Sequence, residues 1–80
     1  MKPIVYDVAA LKALAKLPKA ERRAILAKLS RYAETGAGDV KGLVGTSGIR
    51  LRVGSYRVLF VETAEAIEVF AIGDRRDIYR

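Results

Sequence analysis

Eighty residues with 51% hydrophobic and 30% charged composition bound the chain to one small globular domain, expected to span residues 1–80. The absence of cysteine and histidine removes disulfides, thiolate sites and the usual metal-ligand sets, and no apolar run approaches the ~20 residues of a membrane span. A net charge of +6 with a pI near 10 points instead to a polyanion or an acidic protein as partner.

The N-terminal "PIVYDV" (Pro3–Val8) is β-branched and aromatic and predicts a first strand ending near Asp7. The preceding lysine and the early acid leave the N-terminal segment too short and too soon interrupted for a secretory signal, so a cytoplasmic location with no membrane partner is expected. "AALKALAKL" (Ala9–Leu17) spaces Ala10, Leu14 and Leu17 for one helix face, with Leu11 beside them. Pro18 breaks this helix and suits the start of the next, "KAERRAILAKLSRYAE" (Lys19–Glu34). There Ile25, Leu29 and Tyr32, helped by Leu26 and Ala33, are expected to be buried, leaving Arg22, Arg23, Lys28 and Arg31 outward. "TGAGDVKGLVGTSG" (Thr35–Gly48) holds five of the seven glycines and reads as a linker and candidate recognition loop, with Lys41 inside it.

Three further strands follow in "IRLRV", "YRVLFVE" and "AIEVFAIG", separated by turns at Gly54–Ser55 and Thr63–Glu65. The expected fold is α+β, in the order β-α-α-β-β-β: a mainly antiparallel sheet with a helix hairpin packed on one face. Period-2 alternation then puts Ile49, Leu51 and Val53 under the helices and Arg50 and Arg52 on the open face. Across the tight hairpin Arg57 can join them, although like charges side by side weaken a sheet unless an anion lies there. Gly73 is expected to end the last long strand and to release Arg75, Arg76 and Tyr79 close by. All six lysines lie within the first 41 residues, and from Gly48 onward every base is an arginine. The planar guanidinium matches phosphate with two parallel hydrogen bonds, which the lysine point charge does not.

No P-loop, nucleophile elbow or dinucleotide fingerprint is present, since Gly36-Ala37-Gly38 lacks the preceding strand and following helix that a fingerprint needs. A cluster of guanidinium groups with a phenol nearby suits cleavage of RNA by its own 2′-hydroxyl, because the substrate brings its nucleophile. The protein then has to position the phosphate, stabilise the developing phosphorane and move protons, with no cofactor. Tyrosine and arginine are poor bases at pH 7, so free RNA is expected to be a poor substrate.

"LVGTSGIRLRVGSYRVLF" (43–60) with "IGDRRDIYR" (72–80) strongly resembles the RelE family of the RelE/ParE toxin superfamily, and the likeness extends over essentially the whole chain. The resemblance implies a type II toxin: a ribosome-dependent, metal-independent mRNA endoribonuclease that leaves a 2′,3′-cyclic phosphate. Its implied partners are the ribosome, mRNA and a cognate antitoxin encoded alongside. By position, Arg57 matches the phosphate-stabilising arginine, Arg75 or Arg76 the leaving-group arginine, and Tyr79 the tyrosine that stacks on the nucleotide or assists proton transfer. Arg50 and Arg52 match basic strand residues that grip the RNA backbone, with Lys41 as a further RNA-binding residue. Where many relatives carry histidine this chain has Asp74, which is either a proton-transfer group or a pairing partner of Arg75 or Arg76. The sequence ends at Arg80, and no further C-terminal helix is expected. Two other readings stand beside the nuclease: a ParE-like poison of DNA gyrase, and a degenerate toxin that only binds its antitoxin.

Overall fold

The structure, a computed structural model, describes residues 1–76 and 78. Chain order is β1 (Ile4–Tyr6), α1 (Val8–Lys16), α2 (Lys19–Thr35), β2 (Val40–Gly42), β3 (Ile49–Val53), β4 (Tyr56–Glu62) and β5 (Ile67–Asp74). The expected helices and four of the strands are present within a residue or two of their predicted bounds. The glycine-rich linker is corrected: it contains β2, which pairs antiparallel with β3 through Val40–Leu51, Lys41–Arg50 and Gly42–Ile49. Gly73 is likewise corrected from strand end to strand interior, since β5 continues to Asp74.

Five strands form one mixed sheet in the order β1-β5-β4-β3-β2, with β1 parallel to β5 and every other pair antiparallel. The parallel pair follows from the two-helix crossover between β1 and the remainder of the sheet, whereas hairpins join β3 to β4 and β4 to β5.

Local chemistry sets the helix ends. Asp7 caps α1, its carboxylate accepting from the Ala10 amide at 2.8 Å. Pro18 separates the helices, and α2 stops at Gly36, whose φ of 76° turns its amide onto the Tyr32 carbonyl. Buried Ala10 and Leu14 from α1 and Ile25 and Leu29 from α2 meet Leu51, Val53, Val58, Phe60, Ile67, Val69 and Ile72 of the sheet. Two predicted contributors are absent from that core. Leu11 is 54% exposed and Leu26 is 39% exposed, because each lies at the margin of its helix's apolar stripe, turned away from the sheet.

A bulge controls the last strand. Between Leu59–Ala71 and Phe60–Val69 the register slips by one residue, leaving Phe70 without a partner on β4. Ile67 and Val69 point to the helices, and the extra residue allows Ile72, three positions on, to do so as well. The same slip places Gly73 beside Arg57 on the opposite face.

Candidate active site

The open face of the sheet is where the arginines collect. Leu51, Val53, Val58 and Phe60 belong to the helix-side core, so strand alternation sends Arg50, Arg52, Arg57 and Leu59 to the other side. Register brings them into contact range: Arg52 is directly opposite Arg57, and Arg50 directly opposite Leu59. The two-residue turn at Gly54–Ser55 fixes that register. Gly54 sits at φ 61°, and glycine with positive φ at the first central position suits a type II′ hairpin turn.

At the hairpin end the face deepens into a cleft of about 400 Å³, lined by Arg52, Arg57, Asp74, Arg75, Arg76 and the Gly54–Ser55 turn. The Arg75 amide donates to the Ser55 carbonyl at 3.0 Å, which ties the C-terminal arginine pair to the β3–β4 turn. Asp74 shapes the next step, its carboxylate accepting from the Arg76 amide at 3.0 Å and lying 4.0 Å from the Arg76 guanidinium. The Ile78 amide then bonds the Asp74 carbonyl at 3.1 Å, and the Ile78 side chain folds over Gly73. Asp74 therefore stands within pairing distance of Arg76, one of the two roles open to it.

Arg57 is the unusual member. It is only 9% exposed, packed between Arg52 on one flank and the Gly73–Ile78 side on the other. Among the described residues its guanidinium makes one hydrogen bond, from Nη1 to the Tyr56 carbonyl at 3.2 Å, and no carboxylate pairs with it. A secluded cation without a counter-ion is costly, and its cost falls when an anion enters the cleft. Among the described residues Arg52 and Arg75, exposed at the rim, likewise lack a carboxylate partner, and Arg76 reaches Asp74 alone.

Arg52, Arg57, Arg75, Arg76 and Asp74 are thus brought together. Arg50 and Lys41 are not in this cleft. They are cross-strand neighbours on β3 and β2 and line a second cleft farther along the same face. Tyr79 lies outside the described residues. Sequence reasoning did not single out the turn backbone at Gly54–Ser55, although a Gly-Ser pair flanked by two arginine-bearing strands is the signal that would have found it.

No protein-family model and no curated protein matches the chain. Solved structures do. Over 95% of its length the chain superimposes with a TM-score of 0.79 and 26% identity on 97% of a chain of the archaeal RelE–RelB complex from Pyrococcus horikoshii. A chain of the RelB–RelE antitoxin–toxin complex from Methanococcus jannaschii matches with the same TM-score of 0.79 at 21% identity, with 95% of both chains covered. A chain of the toxin–antitoxin complex RelBE2 from Mycobacterium tuberculosis matches at a TM-score of 0.63 and 19% identity, covering 92% of this chain and 98% of that one.

Proposed function

Because the chain has the fold of RelE toxins, we propose that it is the toxin of a type II toxin–antitoxin pair and that it acts as an endoribonuclease on mRNA being translated. The neighbouring structures, all toxin–antitoxin complexes, support an antitoxin as its first partner. The observation that carries the nuclease reading is the cleft holding Arg52, Arg57, Arg75 and Arg76, with Arg57 secluded and unpaired among the described residues.

In this reading an RNA phosphate enters the cleft and its non-bridging oxygens meet Arg57. The adjacent 2′-oxygen loses its proton and attacks phosphorus, the bond to the 5′-oxygen breaks, and that oxygen takes up a proton as it leaves. The products are a 2′,3′-cyclic phosphate and a free 5′-hydroxyl. Negative charge on the non-bridging oxygens is greatest at the phosphorane, so a guanidinium aimed at them favours the transition state over the ground state. Arg75 or Arg76 neutralises the leaving oxygen. Tyr79, from its sequence position, stacks on a base or relays a proton, with Asp74 as a further proton acceptor. None of these side chains is a strong base at pH 7, which is why the reaction is assigned to the ribosome, whose decoding site orients the RNA and completes the catalytic set.

Primer extension on translated mRNA after induction tests this. Breaks inside codons are expected. Supercoiling or replication defects without RNA breaks would assign the chain to the gyrase poisons, and unaffected growth would leave it a binder of antitoxin alone.

A further inference from the structure

The tip of the β3–β4 hairpin carries a hydroxyl that the cleavage just described does not use. Ser55 is exposed in the Gly54–Ser55 turn and lines the arginine cleft. Among the described residues, the hydroxyls of Thr35, Thr46 and Thr63 are held by neighbouring backbone groups, whereas that of Ser55 makes no hydrogen bond. An exposed turn with an uncommitted hydroxyl is open to an enzyme that modifies serine.

Position, more than exposure, singles Ser55 out, because three arginines are fastened to the backbone around it. Arg52 donates from Nε to the Gly54 carbonyl at 3.5 Å, Arg57 from Nη1 to the Tyr56 carbonyl at 3.2 Å, and the Arg75 amide to the carbonyl of Ser55 itself at 3.0 Å. Among the described residues none of these three guanidinium groups has a carboxylate partner. A group attached to Ser55 Oγ has two sides of the turn open to it. One is a groove against α2, where Ala20, Ala24, Val53 and Tyr56 present apolar surface beside the carboxylate of Glu21. The other is the cleft, where Arg52, Arg57, Arg75 and Arg76 face a single carboxylate, Asp74, which stands beside Arg76. Charge and desolvation both direct an anion to the arginine side.

We propose that Ser55 is a phosphorylation site whose phosphate folds into the arginine cleft of its own chain and closes it. The phosphate carries three acceptor oxygens into a set of unpaired donors, forming the charge-assisted bonds that an incoming RNA phosphate needs. Arg50 and Arg52, five and three residues before Ser55, give its flank a basic pattern that an acidic kinase surface can select. In the transfer, Ser55 Oγ attacks the terminal phosphorus of a nucleoside triphosphate held by a serine kinase. The Oγ–P bond forms, the bond to the β-phosphate oxygen breaks, nucleoside diphosphate leaves, and the hydroxyl proton passes to the kinase's base. Hydrolysis by a phosphatase reopens the cleft. Seating of the phosphate stands apart from the nuclease reading, whereas its effect on cleavage rests on that reading.

The test uses the full chain made by total synthesis with phosphoserine at residue 55. Its phosphorus resonance is expected to titrate at least about one pH unit below the ordinary second pKa of about 6, because guanidinium groups favour the dianion. In urea, and in large part in Arg75→Gln, the titration is expected to return toward about 6. Cleavage of a defined mRNA by the folded chain with ribosomes is expected to fall at least about tenfold on phosphorylation, since a tethered phosphate competes at high effective concentration. Treatment with a phosphatase is expected to restore it. Mass spectrometry of the chain from its native cells, growing and starved, is expected to find the phosphate on residue 55 in at least one state, a readout independent of how the synthetic chain folds. A phosphate titrating near its ordinary value in the folded chain, cleavage that phosphorylation does not alter, or an unmodified residue 55 in both states would each overturn the proposal. A lowered titration in a chain whose unphosphorylated form cuts no translated mRNA would overturn the nuclease reading alone.

Discussion

The two faces of β4 are almost equally hidden from solvent and are hidden for opposite reasons. On one, Val58 and Phe60 are sealed by the helix pair, in a core with no polar member. On the other, Arg57 and Leu59 are as secluded with no layer above them, shielded by neighbouring strands, the folded-back Ile78 and the β2–β3 loop. Burial on the helix side stabilises the fold. Burial on the open side leaves charge and donors unmet among the described residues, so it favours binding over stability.

Substitutions on the two faces should therefore separate stability from activity. The largest effect is expected from Arg57→Met, which should lower the proposed cleavage at least about 10²-fold by removing the donor proposed for the phosphorane. In urea denaturation the same variant should be as stable as the parent or more so, because a hidden cation with no carboxylate partner among the described residues has been replaced by an apolar chain of similar length. A large loss of stability would show that Arg57 is held by contacts beyond those described. Phe60→Ala reverses the pattern: about 3–5 kcal/mol of stability is expected to be lost, with activity failing only as the chain unfolds. Leu59→Ala should fall between, at about 2 kcal/mol, since its cavity opens toward solvent.

Much of this contrast was legible in the sequence because alternation in "IRLRV" is strict, and Gly54–Ser55 admits one short hairpin that sets "YRVLFVE" against it. Facing of Arg50, Arg52 and Arg57 follows from those two facts alone. The bulge at Phe70 was not legible, since "IEVFAI" is apolar almost throughout and carries no period that would reveal an extra residue. β2 was concealed by the glycines around it, because three residues supply too short a pattern to register. Seclusion of Arg57 and Leu59 was hidden too, for it depends on where the 43–48 loop and Ile78 come to lie, which are long-range outcomes.

A smaller contrast joins the two layers at the end of β4. Tyr32 of α2 donates to Glu62 Oε1 at 2.7 Å, and Lys2 Nζ donates to Glu62 Oε2 at 2.8 Å. The Lys2 and Tyr32 hydrogen bonds hold the Glu62 carboxyl below its ordinary range, and the bond to Glu62, with burial, pushes the Tyr32 phenol up to about 12. A lowered carboxyl contributes stability that is present above its unfolded pKa and lost as pH falls through the folded one. The raised phenol contributes stability present below its unfolded value near 10 and lost as pH rises toward 12. Glu62→Gln should accordingly flatten the acid limb of a plot of melting temperature against pH. Tyr32→Phe should cost about 1 kcal/mol at neutral pH, the smallest of these effects.

The most direct measurement is the chemistry of the ends left on a defined mRNA translated in vitro with the purified chain. Fragments ending in a 2′,3′-cyclic phosphate, formed only when ribosomes are present and lost with Arg57→Met, are the predicted result. Uncut mRNA under conditions that halt growth, or breaks ending in a free 3′-hydroxyl, would contradict the account.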